Sequence, residues 1–251
     1  MFGKTFVDQY VVVTGGGTGI GRATALAFAE QGAAGVIITG RRGAALEEVA
    51  AEHEALIPVV ADVTTPEGAD AVVAAVSELG GQLDVLVHNA GIFRNTPLDD
   101  LGADAVREQL EVNVIGPVLL TGRLLPLLRE GGNIVLVSSI SARLAGAGSS
   151  VYSASKAAVD SLIRSWAVEL GPKRIRVNGV APGQVETPIL GSGGVSPEAV
   201  QDWYSVYAAS APAGRIGKAA EVSSWITRLA EPASSWITGE IITMDGGKLL
   251  V

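Results

Sequence analysis

The chain has 251 residues, of which 48% are hydrophobic and 18% charged, and it contains no cysteine. Its 18 basic and 26 acidic residues give a net charge of −8, which argues against binding nucleic acid through a clustered basic surface. The lack of cysteine excludes disulfides, thiol catalysis and cysteine-ligated zinc, and no apolar run reaches the ~18 residues of a membrane span. We therefore expect a cytoplasmic protein with no metal site and no membrane contact, folded as one domain over residues 1–251.

Short apolar, β-branched runs alternate along the chain with longer amphipathic stretches. The runs are predicted strands, at Tyr10–Val13, Val36–Thr39, Ile57–Ala61, Val85–His88, Ile134–Val137, Ile175–Val180 and Glu240–Met244. The amphipathic stretches are predicted helices, at Gly21–Gln31, Ala44–His53, Pro66–Leu79, Ala103–Leu128, Ser153–Leu170 and Ala219–Leu229. Strands that are apolar throughout are typical of a parallel sheet covered on both faces. The predicted fold class is α/β: a Rossmann-like doubly wound parallel sheet of about seven strands with helices on both faces.

A glycine-rich turn follows the first predicted strand, Thr14-Gly15-Gly16-Gly17-Thr18-Gly19-Ile20-Gly21, and a helix begins after it. Glycines let the backbone approach a pyrophosphate, and the helix N-terminus offers unpaired N–H groups and a partial positive charge. Since a strand precedes the turn and a helix follows it, we predict dinucleotide binding rather than an ordinary turn. The predicted cofactor-binding residues here are Gly15, Gly17, Thr18, Gly19, Ile20 and Gly21.

The end of the second strand bears on the choice of cofactor. Gly40 stands where an acidic residue would bind the adenosine ribose and repel a 2′-phosphate. Arg41 and Arg42 follow, and a guanidinium can bind phosphate with two hydrogen bonds. We therefore predict that Arg41 and Arg42 bind NADP in preference to NAD, which remains possible. The alternative is a solvated loop with two surface arginines.

A tyrosine and a lysine lie four residues apart on a predicted helix, so Tyr152 and Lys156 share one face. A phenol with a pKa near 10 is a poor base at neutral pH, and a nearby ammonium lowers that pKa. Ser139, thirteen residues earlier, ends a strand at the sheet edge where ligands bind. Ser138 is the alternative to Ser139, and the spacing to Tyr152 favours Ser139.

These motifs, in this order and over nearly the whole chain, resemble the short-chain dehydrogenase/reductase family in its short single-domain form. The resemblance rests on the glycine turn, Asn89-Ala90-Gly91, Asn113, Ser139, Tyr152-Ser153-Ala154-Ser155-Lys156, Pro182-Gly183-Gln184-Val185-Glu186-Thr187 and Asp245-Gly246-Gly247. It implies an oxidoreductase that transfers a hydride between NADP(H) and a carbonyl or secondary alcohol. The glycine turn has Thr18 where many NADP-using relatives carry a basic residue, so the cofactor prediction depends on the two arginines.

The resemblance also implies roles for single residues. Ser139 would orient the substrate oxygen, Tyr152 would transfer the proton, and Asn113 would hold a water that links Lys156 to solvent. The further cofactor-binding residues that it implies are Asp62, Val63, Asn89, Ala90, Gly91, Tyr152, Lys156, Pro182, Gly183, Val185 and Thr187. Asp62 could also cap the helix that starts near Pro66, and His88 is given no proton-transfer role.

Residues 188–215 interrupt the alternation of strands and helices and are interpreted as a substrate lid of loop and short helix. Leu190 and the aromatic residues Trp203, Tyr204 and Tyr207 suggest a fairly apolar small-molecule substrate, although aromatic residues at helical spacing are more often core. Relatives often form tetramers through the helices at 103–128 and 153–170 and the last strand, so a homo-oligomer, tetramer or dimer, is expected. Two other functions stay open: an NAD-dependent alcohol dehydrogenase working in oxidation, and a cofactor-binding sensor without chemistry.

Overall fold

The computed structural model describes residues 4–251, and seven parallel strands in that part of the chain form one sheet. The strands are β1 (Tyr10–Thr14), β2 (Gly35–Gly40), β3 (Leu56–Val60), β4 (Leu83–His88), β5 (Leu128–Val137), β6 (Arg176–Pro182) and β7 (Ile241–Met244). Their order is β3-β2-β1-β4-β5-β6-β7, with every neighbouring pair parallel. The strand order reverses between β1 and β4, where open α/β sheets form a crevice at the carboxyl ends of their strands.

Helices cover both faces of this sheet. They are α1 (Gly19–Glu30), α2 (Gly43–Ala50), α3 (Pro66–Glu78), α4 (Ala103–Leu110), α5 (Gly116–Leu124), α6 (Ser150–Leu170), α7 (Ile189–Ser192), α8 (Pro197–Ser210) and α9 (Ala219–Ala230). Successive side chains of a strand point to opposite faces, so in β1 Val11 and Val13 join the core with α1, α2 and α9, while Val12 joins the core with α3, α5 and α6. The predicted doubly wound fold is confirmed.

One predicted helix differs from the structure. The expected helix Ala103–Leu128 ends at Leu124 and contains a π-helical turn, Glu111–Ile115, between α4 and α5. Strand β5 then starts at Leu128, well before the predicted Ile134, and Leu128 pairs with Leu83. The apolar run around Leu124–Leu128 suits a helix or a buried strand equally, so periodicity could not place this boundary.

Other boundaries differ by a few residues. Helix α1 begins at Gly19 rather than Gly21, and α6 begins at Ser150 rather than Ser153. Residues 188–215 contain the short helix α7 and the 14-residue helix α8, so this segment is more helical than expected. Within residues 4–251, no helix combines the length and the apolar character that a membrane crossing requires.

Candidate active site

A cleft of about 770 Å³ opens at the carboxyl ends of the strands. The loops after β1 to β6 line it, together with residues of α7 and α8. It brings together all the residues that the sequence analysis singled out as catalytic or cofactor-binding, except Gly21 and Asn113, which lie behind its wall. The motifs spread over the sequence therefore converge on one site.

The glycine turn between β1 and α1 is shaped by two different demands. Gly15 and Gly19 adopt positive φ of 67° and 56°, a region that L side chains rarely occupy, and a Cβ on Gly21 would overlap the Gly15 carbonyl oxygen. Gly17 is different, because a Cβ there would meet nothing closer than 3.4 Å within the protein. Gly17 lines the cleft, so the space beside it is available to a ligand.

The N-terminus of α1 faces the same space. Thr18 is the N-cap of this helix, and its side chain makes no capping hydrogen bond. The first amides of a helix have no intrahelical acceptor, so those of α1 remain able to bind an anion, as the pyrophosphate of a dinucleotide requires. The glycine turn therefore fits the predicted cofactor.

Thr14 and Asn89 hold the turn against the loop after β4. The Thr14 hydroxyl accepts hydrogen bonds from the backbone N–H groups of Asn89 and Ala90, both at 3.0 Å. The Asn89 side chain donates in return to the Thr14 carbonyl at 2.9 Å. The sequence analysis assigned no role to Thr14, whose signal was a polar residue at the end of an apolar strand.

Arg41 and Arg42 lie exposed at the rim of the cleft, next to the glycine turn. The Arg42 Nη2 donates to the Thr18 hydroxyl at 3.4 Å. This contact brings a cation to the point of the glycine turn where the sequence itself has none. The rim therefore carries positive charge at the position expected for the 2′-phosphate of NADP.

Asp62 and Val63 lie on the cleft wall after β3. The Asp62 carboxylate accepts hydrogen bonds from the backbone N–H of Thr64 at 3.0 Å and from its hydroxyl at 2.7 Å. The alternative role of Asp62 as a helix cap is wrong, since Thr65 is the N-cap of α3 and accepts from the Gly68 N–H. A threonine directly before Pro66 can take the cap position because proline at the first helical position needs no partner for its nitrogen.

Tyr152 lies in the first turn of α6, and its phenol hydrogen-bonds the Ser139 hydroxyl at the end of β5. Burial raises the pKa of Tyr152 to about 12, while the hydrogen bond with Ser139 acts in the opposite direction. The expected lowering of this pKa by Lys156 is not found, because the ammonium lies 5.7 Å from the Tyr152 ring centre and donates to the Val137 carbonyl at 2.9 Å. At neutral pH Tyr152 is therefore a protonated phenol.

Lys156 is buried one helical turn after Tyr152. Burial lowers the pKa of Lys156 to about 8, and the carboxylate of Asp160 raises it by charge attraction. Asp160 is also buried and accepts hydrogen bonds from the Ser138 hydroxyl and, at 3.4 Å, from Arg143. The Ser138 hydroxyl is thus engaged behind the site, which leaves Ser139 as the serine beside Tyr152. Asp160 was missed in the sequence, where it reads as an ordinary helix residue.

Asn113 lies in the π-helical turn and braces the site from behind. Its side chain accepts from the Ile92 N–H at 2.9 Å and donates to the Ile92 carbonyl and the Ser155 hydroxyl, both at 3.0 Å. Ser155 in turn donates to the Tyr152 carbonyl at 2.7 Å. Both amide hydrogens of Asn113 are used in this network, so its side chain positions α6 and the loop after β4.

His88 is a core residue. Its Nε2 lies 2.7 Å from the Thr121 hydroxyl, and burial lowers the pKa of His88 to about 3, so the ring is neutral at physiological pH. In the part of the chain that the structure describes, no group of three or more His, Asp or Glu side chains is arranged to hold a metal ion.

The aromatic residues of 188–215 divide into two roles. Tyr207 is buried and donates to the Asp245 carbonyl at 2.7 Å, and Tyr204 donates to the carbonyls of Val185 and Thr187. Trp203 and Leu190 line the cleft. The sequence analysis missed further lining residues, among them Phe93, Arg94, Leu144 and Gln184, which lie in irregular segments without a periodic signal.

Comparison with known proteins agrees with this arrangement. The sequence model of the family described as enoyl-(acyl carrier protein) reductase matches residues 15–248. The chain is 40% identical to cis-4-hydroxycyclohexanecarboxylate dehydrogenase of Sinomonas cyclohexanicum, covering 98% of both chains. It is 36% identical to 3-oxoacyl-[acyl-carrier-protein] reductase of Thermotoga maritima, covering 95% of this chain and 97% of that one.

A solved structure is similarly close. A short-chain dehydrogenase/reductase of unknown function from Caenorhabditis elegans, crystallised with cofactor, superimposes with a TM-score of 0.92 at 37% identity. The match covers 98% of this chain and 97% of that one.

Proposed function

Because the chain belongs to the short-chain dehydrogenase/reductase family of NAD- or NADP-using oxidoreductases, we propose that it is an NADP-dependent carbonyl reductase. It would transfer a hydride between NADP(H) and a carbonyl or secondary alcohol. One observation carries the proposal: the same cleft holds the two arginines at its rim and the Ser139–Tyr152 pair further along its wall.

The cofactor would lie across the carboxyl edge of the sheet. The glycine turn and the N-terminus of α1 would bind its pyrophosphate, and Arg41 and Arg42 its 2′-phosphate. Asp62 and Val63 would contact the adenine, and Lys156 the nicotinamide ribose. At the other end, Pro182, Gly183, Val185 and Thr187 would hold the nicotinamide, on a loop that Tyr204 braces through the Val185 and Thr187 carbonyls.

The reduced nicotinamide, when bound, supplies the hydride that the substrate carbonyl carbon accepts. Tyr152 donates its phenolic proton to the carbonyl oxygen, and the resulting phenolate is reprotonated from water. Ser139 hydrogen-bonds the same oxygen and orients it. A phenol with a pKa of about 12 holds its proton at neutral pH and is suited to give it away, which favours reduction over oxidation.

Lys156 contributes positive charge at neutral pH, since its pKa of about 8 keeps most of the side chain protonated. An ammonium near Tyr152 stabilises the phenolate that proton donation leaves behind. Asn113 and Ser155 fix the helical turn on which Tyr152 stands. We also expect a water in the relay from Lys156 to solvent, held near Asn113.

The segment 188–215 would act as a lid over a fairly apolar substrate. Leu190 and Trp203 face the cleft, and Arg94 donates to the Ser192 carbonyl at 2.8 Å, which joins the lid to the loop after β4. Tyr207 anchors the base of α8 to Asp245. The lid would therefore close the substrate end of the cleft from a fixed hinge side.

We further propose that the protein is a cytoplasmic homo-oligomer. Several large apolar side chains are exposed on the helices and the C-terminal segment where relatives associate, namely Ile115, Val118, Leu119, Val168, Trp236, Leu250 and Val251. Burying them would be favourable by ~25 cal/mol per Å² of apolar surface. Light scattering of the eluted protein would give a dimer or tetramer mass, and a monomer would refute this part.

The proposed activity is tested with a panel of ketones and NADPH, followed by the loss of NADPH absorbance. We expect turnover of at least one apolar ketone, and higher kcat/KM with NADPH than with NADH. Tight NADPH binding without oxidation by any ketone or alcohol pair would instead indicate a sensor.

A further inference from the structure

An aromatic wall leads from Tyr152 to the mouth of the cleft. The Phe93 ring packs edge-to-face on Tyr152, with ring centres 5.4 Å apart, and on Trp203, with ring centres 6.0 Å apart. Phe93 is 6% exposed, whereas Trp203 is 38% exposed and lies at the entrance. Leu144 and Leu190 add apolar surface nearby. A ring whose carbonyl meets Tyr152 would therefore lie along aromatic and aliphatic side chains.

The cations of the cleft are unevenly distributed. Among the described residues that line it, the cationic side chains are Arg41, Arg42, Arg94 and Lys156. The first two lie beside the glycine turn, and Lys156 lies behind Tyr152. Arg94 is thus the described cation at the substrate end.

The Arg94 guanidinium already has partners. Its Nε and Nη2 each donate to a carboxylate oxygen of Glu108, both at 2.9 Å, and its Nη1 donates to the Ser192 carbonyl at 2.8 Å. This two-bond pairing neutralises the arginine. A substrate carboxylate would have to displace Glu108 or remain unpaired against an apolar wall, and either is unfavourable.

From these contacts we infer that the cleft selects a neutral ketone with a ring body, placed along Phe93 and Trp203, and discriminates against the same ketone carrying a carboxylate. The inference rests on the proposed carbonyl reductase function and names its substrate class. Selection comes from the aromatic wall on one side and from the Arg94–Glu108 pair on the other.

The charge part is tested with methyl 4-acetylbenzoate and 4-acetylbenzoate, two ketones that differ in one charge. With NADPH, we expect kcat/KM for the ester to exceed that for the carboxylate at least tenfold. The variant Glu108→Gln frees Arg94 and is expected to raise kcat/KM for the carboxylate at least fivefold, with the ester changing less than twofold. Asp104→Asn removes an exposed carboxylate from the same helix and should change neither ratio.

Equal or faster reduction of the carboxylate by the wild-type protein would overturn the inference, as would no gain for the carboxylate in Glu108→Gln. If neither ketone oxidises NADPH while an acyclic ketone does, the ring assignment is overturned. If no ketone is reduced, the proposed function fails, and calorimetric titration of the two compounds still decides this inference. Tighter binding of the ester supports it, and equal or tighter binding of the carboxylate overturns it.

The ring part is tested with Trp203→Leu, using acetophenone and 2-butanone as substrates. Loss of the aromatic contact is expected to lower kcat/KM for acetophenone at least fivefold, with less than a twofold change for 2-butanone. An equal change for both ketones would show that Trp203 makes no ring-specific contact and would overturn this part.

Discussion

Cofactor discrimination should depend on the two arginines at the cleft rim. In the double variant Arg41→Ala/Arg42→Ala, the glycine turn and its packing stay intact because both side chains are exposed. A charge-assisted hydrogen bond contributes about 1.5–3 kcal/mol when shielded from water. Exposure and salt reduce this to about 1 kcal/mol for each arginine.

The two losses together amount to about 2 kcal/mol, which corresponds to an increase of about 30-fold in the Kd for NADPH. NADH lacks the 2′-phosphate, so its Kd should change by less than about threefold. Fluorescence titration of both cofactors measures the two effects directly. Arg107→Ala, an exposed arginine on α4, serves as the matched control and should change neither. Equal weakening of NADPH and NADH in the double variant would refute the assignment.

Two further predictions concern the turn and the buried charges behind Tyr152. Gly17→Ala should leave the thermal unfolding temperature nearly unchanged but weaken NADPH binding at least tenfold, because its methyl group enters the space beside the cofactor; Gly21→Ala should instead destabilise the fold by about 1–3 kcal/mol through overlap with Gly15. Unaltered NADPH affinity in Gly17→Ala would contradict the placement of the pyrophosphate. Asp160→Asn removes the charge that raises the Lys156 pKa, so the alkaline limb of the pH profile for kcat/KM, set by loss of the ammonium, should move from about pH 8 to lower pH. A limb that stays in place, with the folded state retained, would show that Asp160 has no electrostatic role.

The architecture could be predicted from the sequence because its determinants are local. Apolar strands such as Val11–Val13 and the glycine turn after them carry their pattern in consecutive residues, and the predicted sheet of about seven strands is present. The order of the motifs also brought Ser139, Tyr152 and Lys156 to one cleft, as expected.

The differences arise where long-range contacts decide. The boundary near Leu128 depends on its pairing with Leu83, and the π-helical turn around Asn113 is a change of backbone hydrogen bonding that side-chain periodicity does not record. The pKa of Tyr152 followed burial rather than the nearby ammonium, and sequence spacing gives proximity but not burial. For the same reason Phe93, in an irregular loop, could not be assigned to the substrate wall.

The proton-donating role of Tyr152 is the central claim, and the variant Tyr152→Phe tests it most directly. The measurement is kcat for NADPH-dependent reduction of an accepted ketone, taken together with the Kd for NADPH. Removing one hydroxyl should lower kcat by ~10²–10⁴, the range for a positioned acid, while the Kd for NADPH changes by less than about threefold. Turnover equal to that of the wild-type protein would contradict the account.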